Sequence, residues 1–146
     1  MTAGFSHLGI CVGDLDRSLR FYCQGLGFEE VAAHEVGPEF GGLMELDGLQ
    51  LSSRMIHNNG ATLELLGYGS PAVVGEPARR PMNQLGLTHL SFRVDDLEAV
   101  AARIEQFGGQ VVSTTRTTLD LGGTALHFVY CTDPDGVRIE LMDLGG

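Results

Sequence analysis

His7-Leu8-Gly9-Ile10-Cys11-Val12-Gly13-Asp14-Leu15 and His89-Leu90-Ser91-Phe92-Arg93-Val94-Asp95-Asp96-Leu97 are two copies of one pattern. His, Val, Asp and Leu recur at the same offsets, and 82 positions separate the copies. Each copy later closes on a strand-like run with one carboxylate, Thr62-Leu63-Glu64-Leu65-Leu66 and Arg138-Ile139-Glu140-Leu141-Met142, the two glutamates lying 76 apart. Each half therefore offers one His from its first strand and one Glu from its last. If the halves pack with pseudo-twofold symmetry, two His and two Glu converge on one point.

Alternation along a strand sharpens this. Leu63 and Leu65 flank Glu64, and Ile139 and Leu141 flank Glu140, so the apolar neighbours face a helix and the glutamates face the other side of the sheet. A lone carboxylate there costs on the order of several kcal/mol unless it is paired or bound to a cation. An isolated Glu or His in a strand is ordinarily a solvated surface residue; the double coincidence of register argues against that here. Two imidazoles and two carboxylates suit one divalent metal such as Zn, Ni, Mn, Co or Fe(II). In an octahedral arrangement two positions would remain for water or a chelating substrate.

Between these landmarks both halves read strand, helix, then three strands. Asp14 caps a helix on which Leu15, Leu19 and Tyr22 fall at helical spacing, ended by Gly25 and Gly27. Phe28 to His34 reads as a strand and Glu35 to Asp47 as a loop. Leu49 to Ile56 pairs with Ala61 to Leu66 across Asn58-Asn59-Gly60. Pro71, Pro77, Pro81, Gly69 and Gly75 mark a linker. The second copy then predicts a strand over Leu87 to Val94, a helix from about Leu97 to Phe107 capped by Asp95 or Asp96, a strand over Gln110 to Ser113, and a final hairpin of Thr124 to Cys131 with Val137 to Asp143. The expected architecture is α+β: two βαβββ modules, 1–70 and 86–146, joined by a linker at 71–85, their mixed sheets curled around a metal cleft. A four-stranded sheet with one helix cannot bury both faces alone, which accounts for two copies in one chain.

Composition narrows the function. The chain has 146 residues, 43% apolar, and a net charge of −10 with nine Arg and no Lys. That charge disfavours nucleic acid as a partner, and the missing Lys excludes Schiff-base chemistry. No apolar run approaches the roughly 20 residues of a membrane span, and no basic start followed by an apolar stretch marks a signal peptide. Three widely spaced cysteines, Cys11, Cys23 and Cys131, fit a reducing cytoplasm. Cys11 and Cys131 read as buried small hydrophobes rather than nucleophiles. His34 and His57 read as surface residues. His127 sits on a strand whose alternation puts Ala125, His127 and Val129 on one face, which makes it a substrate-side candidate. Arg54 is the only cation in the third strand of the first half and is the candidate for holding an anionic substrate group.

These residues resemble the vicinal oxygen chelate superfamily, which includes glyoxalase I, methylmalonyl-CoA epimerase, extradiol dioxygenases and the fosfomycin and bleomycin resistance proteins. The likeness covers nearly the whole chain. It rests on His7-Leu8-Gly9-Ile10-x-Val12-x-Asp14-Leu15 with Ser18-Leu19-Arg20-Phe21-Tyr22 and Leu26-Gly27-Phe28, on Thr88-His89-Leu90-Ser91-Phe92-x-Val94-Asp95-Asp96-Leu97, and on Asp133-Pro134-Asp135-Gly136-x-x-Ile139-Glu140-Leu141. The resemblance implies paired βαβββ modules around one divalent metal, with His7, Glu64, His89 and Glu140 at the ligand positions.

The departures discriminate among reactions. Bacterial glyoxalase I commonly has Lys before Gly-Gly-Thr, where this chain has Leu121 before Gly122-Gly123-Thr124. The epimerases usually place Gln where Glu64 stands and need a carboxylate on the third strand of the first half. Leu49 to Ile56 has none, and Glu45 serves only if that strand begins earlier. The extradiol signature Tyr130-x-x-Asp133-Pro134-x-Gly136-x-x-x-Glu140 is present, which nominates Tyr130 for substrate contact, but no His occupies 121–123. His127 is out of register, and Glu64 as a fourth ligand would crowd an oxygen site. Tyr130 and His127 face opposite ways unless a bulge intervenes.

The favoured expectation is a metal-dependent lyase, isomerase or epimerase. Its small substrate would chelate the metal through vicinal oxygens and react through an enediolate-like intermediate, with Glu140 or Glu64 shuttling the proton. The alternatives are an Fe(II) extradiol-type dioxygenase of an aromatic diol and a non-catalytic resistance protein that binds an antibiotic or metabolite. Exposed sheet edges predict a homodimer.

Overall fold

The computed structural model describes residues 1–145 as two compact units, Met1–Gly75 and from Glu76 onward. The first runs β1 (Leu8–Val12), α1 (Leu15–Leu19), β2 (Glu29–Val36), α2 (Gly41–Met44), β3 (Gln50–Asn58) and β4 (Ala61–Ser70). The second runs β5 (Leu90–Arg93), α3 (Leu97–Gln106), β6 (Gln110–Leu121), β7 (Thr124–Thr132) and β8 (Arg138–Asp143). Each unit forms one four-stranded mixed sheet, ordered β1-β4-β3-β2 and β5-β8-β7-β6. First and last strands are parallel and the other pairs antiparallel. The fold is α+β and the two sheets remain open.

Helices α1 and α3 begin as their sequences dictate. Asp14 accepts the Arg17 amide at 2.9 Å, and Asp96, not Asp95, accepts that of Ala99 at 2.9 Å, each satisfying one of the orphan donors of a first turn. Beyond Leu19 the chain widens into a π-helical turn, Arg20–Gly25. The adjacent Phe21 and Tyr22 are both fully buried there. Tyr22 stacks edge-on against Phe21 at 5.1 Å and against Phe28 at 5.9 Å. Gly67 on β4 permits the helix to sit close, because a Cβ there would meet the Leu15 Cβ at 2.9 Å.

The helix-covered faces are aliphatic: Ile10, Val12, Ile56, Leu63 and Leu65 in the first unit, and Val129, Ile139 and Leu141 in the second, are all buried. Glu64 and Glu140 fall at the alternate positions and remain partly exposed. The expected parity therefore holds in both copies.

Two segments differ from expectation. β6 continues to Leu121 instead of stopping at Ser113. A register shift between Val112 and Thr117 absorbs the irregularity, and Gly122 and Gly123, with φ of 67° and 97°, supply the tight return into β7. The stretch expected as loop contains a 3-10 turn, Pro38–Phe40, leading into α2. Among the described residues no helix is long and apolar enough to cross a membrane.

Truncation of the core should register strongly. Leu65→Ala and Ile139→Ala, at fully buried positions, should each lower stability by about 2–5 kcal/mol. Leu119→Ala, at an exposed position of β6, should stay within about 0.5 kcal/mol. Urea midpoints at unchanged m-value test this; a Leu119 effect as large as that of Leu65 would contradict the burial pattern.

Candidate metal centre

The parallel pairing of first and last strands builds the same small device twice. In the first unit the register sets Gly9 beside Glu64, and His7, just ahead of β1, brings its Nε2 to 3.1 Å from Glu64 Oε2. In the second, Ser91 lies beside Glu140, and His89 Nε2 comes to 3.6 Å from Glu140 Oε2. The side chains are 37% and 24% exposed in the first pair and 27% and 21% in the second, so both pairs are reachable from solvent.

Hydroxyl groups brace each pair at both ends. His7 Nδ1 lies 2.9 Å from Ser6 Oγ, and His89 Nδ1 lies 2.8 Å from Thr88 Oγ1. With the proton on Nδ1 donating to the hydroxyl, Nε2 carries a lone pair directed at the carboxylate. Two acceptors at that separation require a shared proton or a cation. Two donors each about 2.1 Å from one cation would lie about 3.0 Å apart at right angles and about 3.4 Å apart at tetrahedral angles, close to the two separations seen. The donor chemistry therefore fits a divalent ion. At the far side Ser53 donates to Glu64 Oε1 at 2.6 Å, and Ser91 donates to Glu140 Oε2 at 2.8 Å. Hydroxyl supports of this kind orient ligands and tune their basicity. Among the described residues no three His, Cys, Asp or Glu side chains gather as a metal cluster; the structure brings the four expected ligands together as two pairs, one in each unit.

Aromatic rings flank both carboxylates. Burial first, then the neighbouring Cys11 and Glu64, raises the Tyr68 phenol above its ordinary value. Tyr130 is in register with Glu140 and its ring meets that of His89 edge-on at 5.7 Å; burial first and then Glu140 raises its pKa. Tyr130 is thus beside the second pair. His127 is not. It is in register with Asp143 across a regular β7–β8 ladder and so points to the opposite face. There its Nδ1 lies 3.1 Å from Thr118 Oγ1, in a groove of about 440 Å³ shared with Asp95, Glu98 and Asp143.

Arg54 does not join the first pair either. It is in register with Leu65, on the face away from Glu64, and is taken up by Glu35 at 3.1 Å and Glu30 at 3.6 Å. The Glu35 carboxyl is held below its ordinary value by the Ser52 hydroxyl and then by Arg54. Glu45 caps α2 at a left-handed φ of 57°, five residues before β3, and supplies no carboxylate to that strand. His34 and His57 are exposed, as expected.

Cys11 corrects an expectation. It is exposed, not buried, because it alternates with the buried Ile10 and Val12 and so shares the face of Glu64. Cys131 is buried, and burial pushes its thiol up to about 11.

The sequence reading missed Ser6, Ser53, Thr88, Ser91 and Arg138. Ser6 and Thr88 were findable, being hydroxyl residues directly before both histidines. Arg138 lies two residues before Glu140 and is only 9% exposed, with its guanidinium 4.9 Å from the centre of the Tyr130 ring. Its alternation with Ile139 places it on the Glu140 face.

Comparison with known proteins agrees with this architecture. A family model described as the glyoxalase/bleomycin resistance protein/dioxygenase superfamily matches residues 4–141, and the chain belongs to that superfamily. A probable lactoylglutathione lyase of Vibrio cholerae is 32% identical over 93% of this chain and 87% of its own length. An ethylmalonyl-CoA/methylmalonyl-CoA epimerase of Cereibacter sphaeroides is 27% identical over 97% and 98%. A crystal structure of a glyoxalase family protein from Bacillus cereus shares the fold with a TM-score of 0.84 at 19% identity, over 100% of this chain and 97% of that one.

Thiol titration of the native protein should give one fast-reacting group, Cys11, lost in Cys11→Ser, with Cys131 reacting only on unfolding. Cys23, half-buried with its pKa raised by burial, should react more slowly, and a fast phase that survives in the Cys11→Ser, Cys23→Ser double variant would contradict the assigned faces.

Proposed function

We propose that this chain is a metal-dependent lyase or isomerase acting on a small substrate that chelates a divalent cation through vicinal oxygens. The observation that carries the reading is the twice-built hydroxyl–His–Glu–hydroxyl arrangement, Ser6-His7-Glu64-Ser53 and Thr88-His89-Glu140-Ser91. His7 with Glu64, and His89 with Glu140, would supply the ligands of a divalent ion such as Zn, Ni, Mn, Co or Fe(II). The lyase and epimerase names among the relatives support the class.

When bound, such an ion supplies Lewis-acid stabilisation of negative charge on a substrate oxygen. The remaining work falls to side chains. A carboxylate beside the site, Glu140 or Glu64, takes the proton from the carbon next to a carbonyl, which yields the enediolate-like intermediate, and returns it to complete the isomerisation. Ser6 and Thr88 keep the imidazole protons on Nδ1. Ser53 and Ser91 hold the carboxylates in line, and Tyr68 and Tyr130 flank them. The working assembly is a homodimer in the cytoplasm, consistent with open sheet edges and three cysteines that form no disulfide.

Elemental analysis of the purified protein should find stoichiometric divalent metal, removed by a chelator and restored by adding it back. His7→Ala and His89→Ala should each abolish retention. Ser53→Ala and Thr88→Ala, which leave all four donors in place, should weaken affinity by about tenfold or more. Protein that binds no divalent ion would sink the proposal. Activity dependent on Fe(II), with yellow ring-cleavage products from catechols, would replace it with an oxygenase.

A further inference from the structure

We propose that Arg138, with Arg79 beside it, forms an anion subsite next to the His89–Glu140 pair, which selects a chelating substrate that also carries a carboxylate or comparable negative group. The inference rests on the metal-centre reading above and names the class of substrate for it.

The warrant is an unsatisfied buried charge. A guanidinium has five N–H donors, yet Arg138 makes one hydrogen bond, from Nη2 to the Arg80 carbonyl at 2.7 Å. Its Nε is buried with no hydrogen-bond partner. The residue is 9% exposed and, among the described residues, has no carboxylate paired to it. Buried guanidinium groups are normally matched by an anion, since leaving the charge unpaired is costly. A buried guanidinium left without a carboxylate in a chain of net charge −10 stands against the protein's own electrostatics, a pattern expected where a guest anion completes the set.

Position gives the subsite its meaning. Arg138 stacks on Tyr130, and Tyr130 meets His89, so the cation and the metal pair share one aromatic wall. Two residues of strand separate Arg138 from Glu140, which puts their Cα atoms about 7 Å apart on one face of the sheet. Thr132, the register partner of Arg138, lines a cavity of about 310 Å³ together with Arg79 and Gln110 among others. Its one carboxylate, Asp133, is committed to the turn, accepting the Asp135 and Val137 amides at 2.9 and 2.8 Å. Arg54, the cation that the sequence offered for this role, is already neutralised by Glu30 and Glu35.

The test compares two chelators of equal chain length, the monohydroxamate of succinate and the neutral butyrohydroxamate, titrated into Co(II)-loaded protein and followed by the visible spectrum. The carboxylate should improve affinity by about tenfold in the native protein, the scale of one charge-assisted hydrogen bond. Arg138→Gln should remove that preference while leaving butyrohydroxamate bound, and Arg138→Lys should keep most of it. Far-UV circular dichroism checks that both variants fold. In parallel, succinate added to metal-free protein should shift the amide resonances of Thr132 and Arg138 saturably, where neutral succinamide does not. Equal affinity for the two hydroxamates in the native protein, or an equal loss of both in Arg138→Gln, overturns the subsite and leaves the metal centre standing. Succinate shifts in a protein that binds neither metal nor hydroxamate would uphold the subsite and discard the metal centre.

Discussion

In each unit the first strand lies parallel to the last, at a register that puts residue 9 beside Glu64 and residue 91 beside Glu140. A tight hairpin cannot join parallel strands; the chain must leave, cross and return. The helix and the two intervening strands are that return path, and the helix covers one face as it passes. What remains on the other face is the His–Glu pair, at a strand start and a strand centre. Every other functional feature is positioned from this pairing: the serines that reach the carboxylates, the tyrosines that flank them and the exposed Cys11.

Strand parity explains what the sequence revealed and what it hid. Glu64 and Glu140 were legible because each stands alone among aliphatic residues in a short run whose alternation is unbroken. Tyr130 and His127 could be assigned to opposite faces, but which face held the site depended on the pairing partner of β7. The register with β8 decides it for Tyr130. Arg54 failed for the same reason. Its own strand contains the register shift at Gln50–Leu51, so counting from the hairpin turn, and not from the strand start, gives its face. Cys11 shows the converse: its parity was readable from Ile10 and Val12, and only the general tendency of cysteine to be buried argued otherwise.

Ser53 and Arg138 lay beyond reach for different reasons. Ser53 meets Glu64 across a strand boundary, diagonal to the register pair Met55–Glu64, and no spacing in the chain announces such a contact. Arg138 occupies the position before Ile139, where a solvent-exposed Arg is the ordinary outcome. It is covered because residues 77–80 return over the Gly136 turn. A Cβ on Gly136 would meet the Ala78 backbone at 2.7 Å, so this residue admits the segment that places the Arg80 carbonyl against the guanidinium.

The two devices are not equivalent, and the difference bears on how labour is divided between the carboxylates. Glu64 is gripped at both oxygens, Oε1 by Ser53 and Oε2 facing His7. Ser91 and His89 both address the Oε2 of Glu140, with the Tyr130 hydroxyl as a further, weaker partner of that carboxyl. A carboxylate gripped firmly at both oxygens resists rotation more than one whose short contacts share a single oxygen. On the proposed chemistry, Glu64 then suits the task of a fixed ligand, and Glu140 that of the group which swings to carry a proton. Glu140 is also the carboxylate that shares its face with Tyr130 and Arg138. On that reading, a pivoting base beside a cation that held the substrate's far end would keep the reacting carbon within reach through both proton transfers. The asymmetry arises from one choice of strand: the supporting serine sits on β3 in the first unit and on β5 in the second.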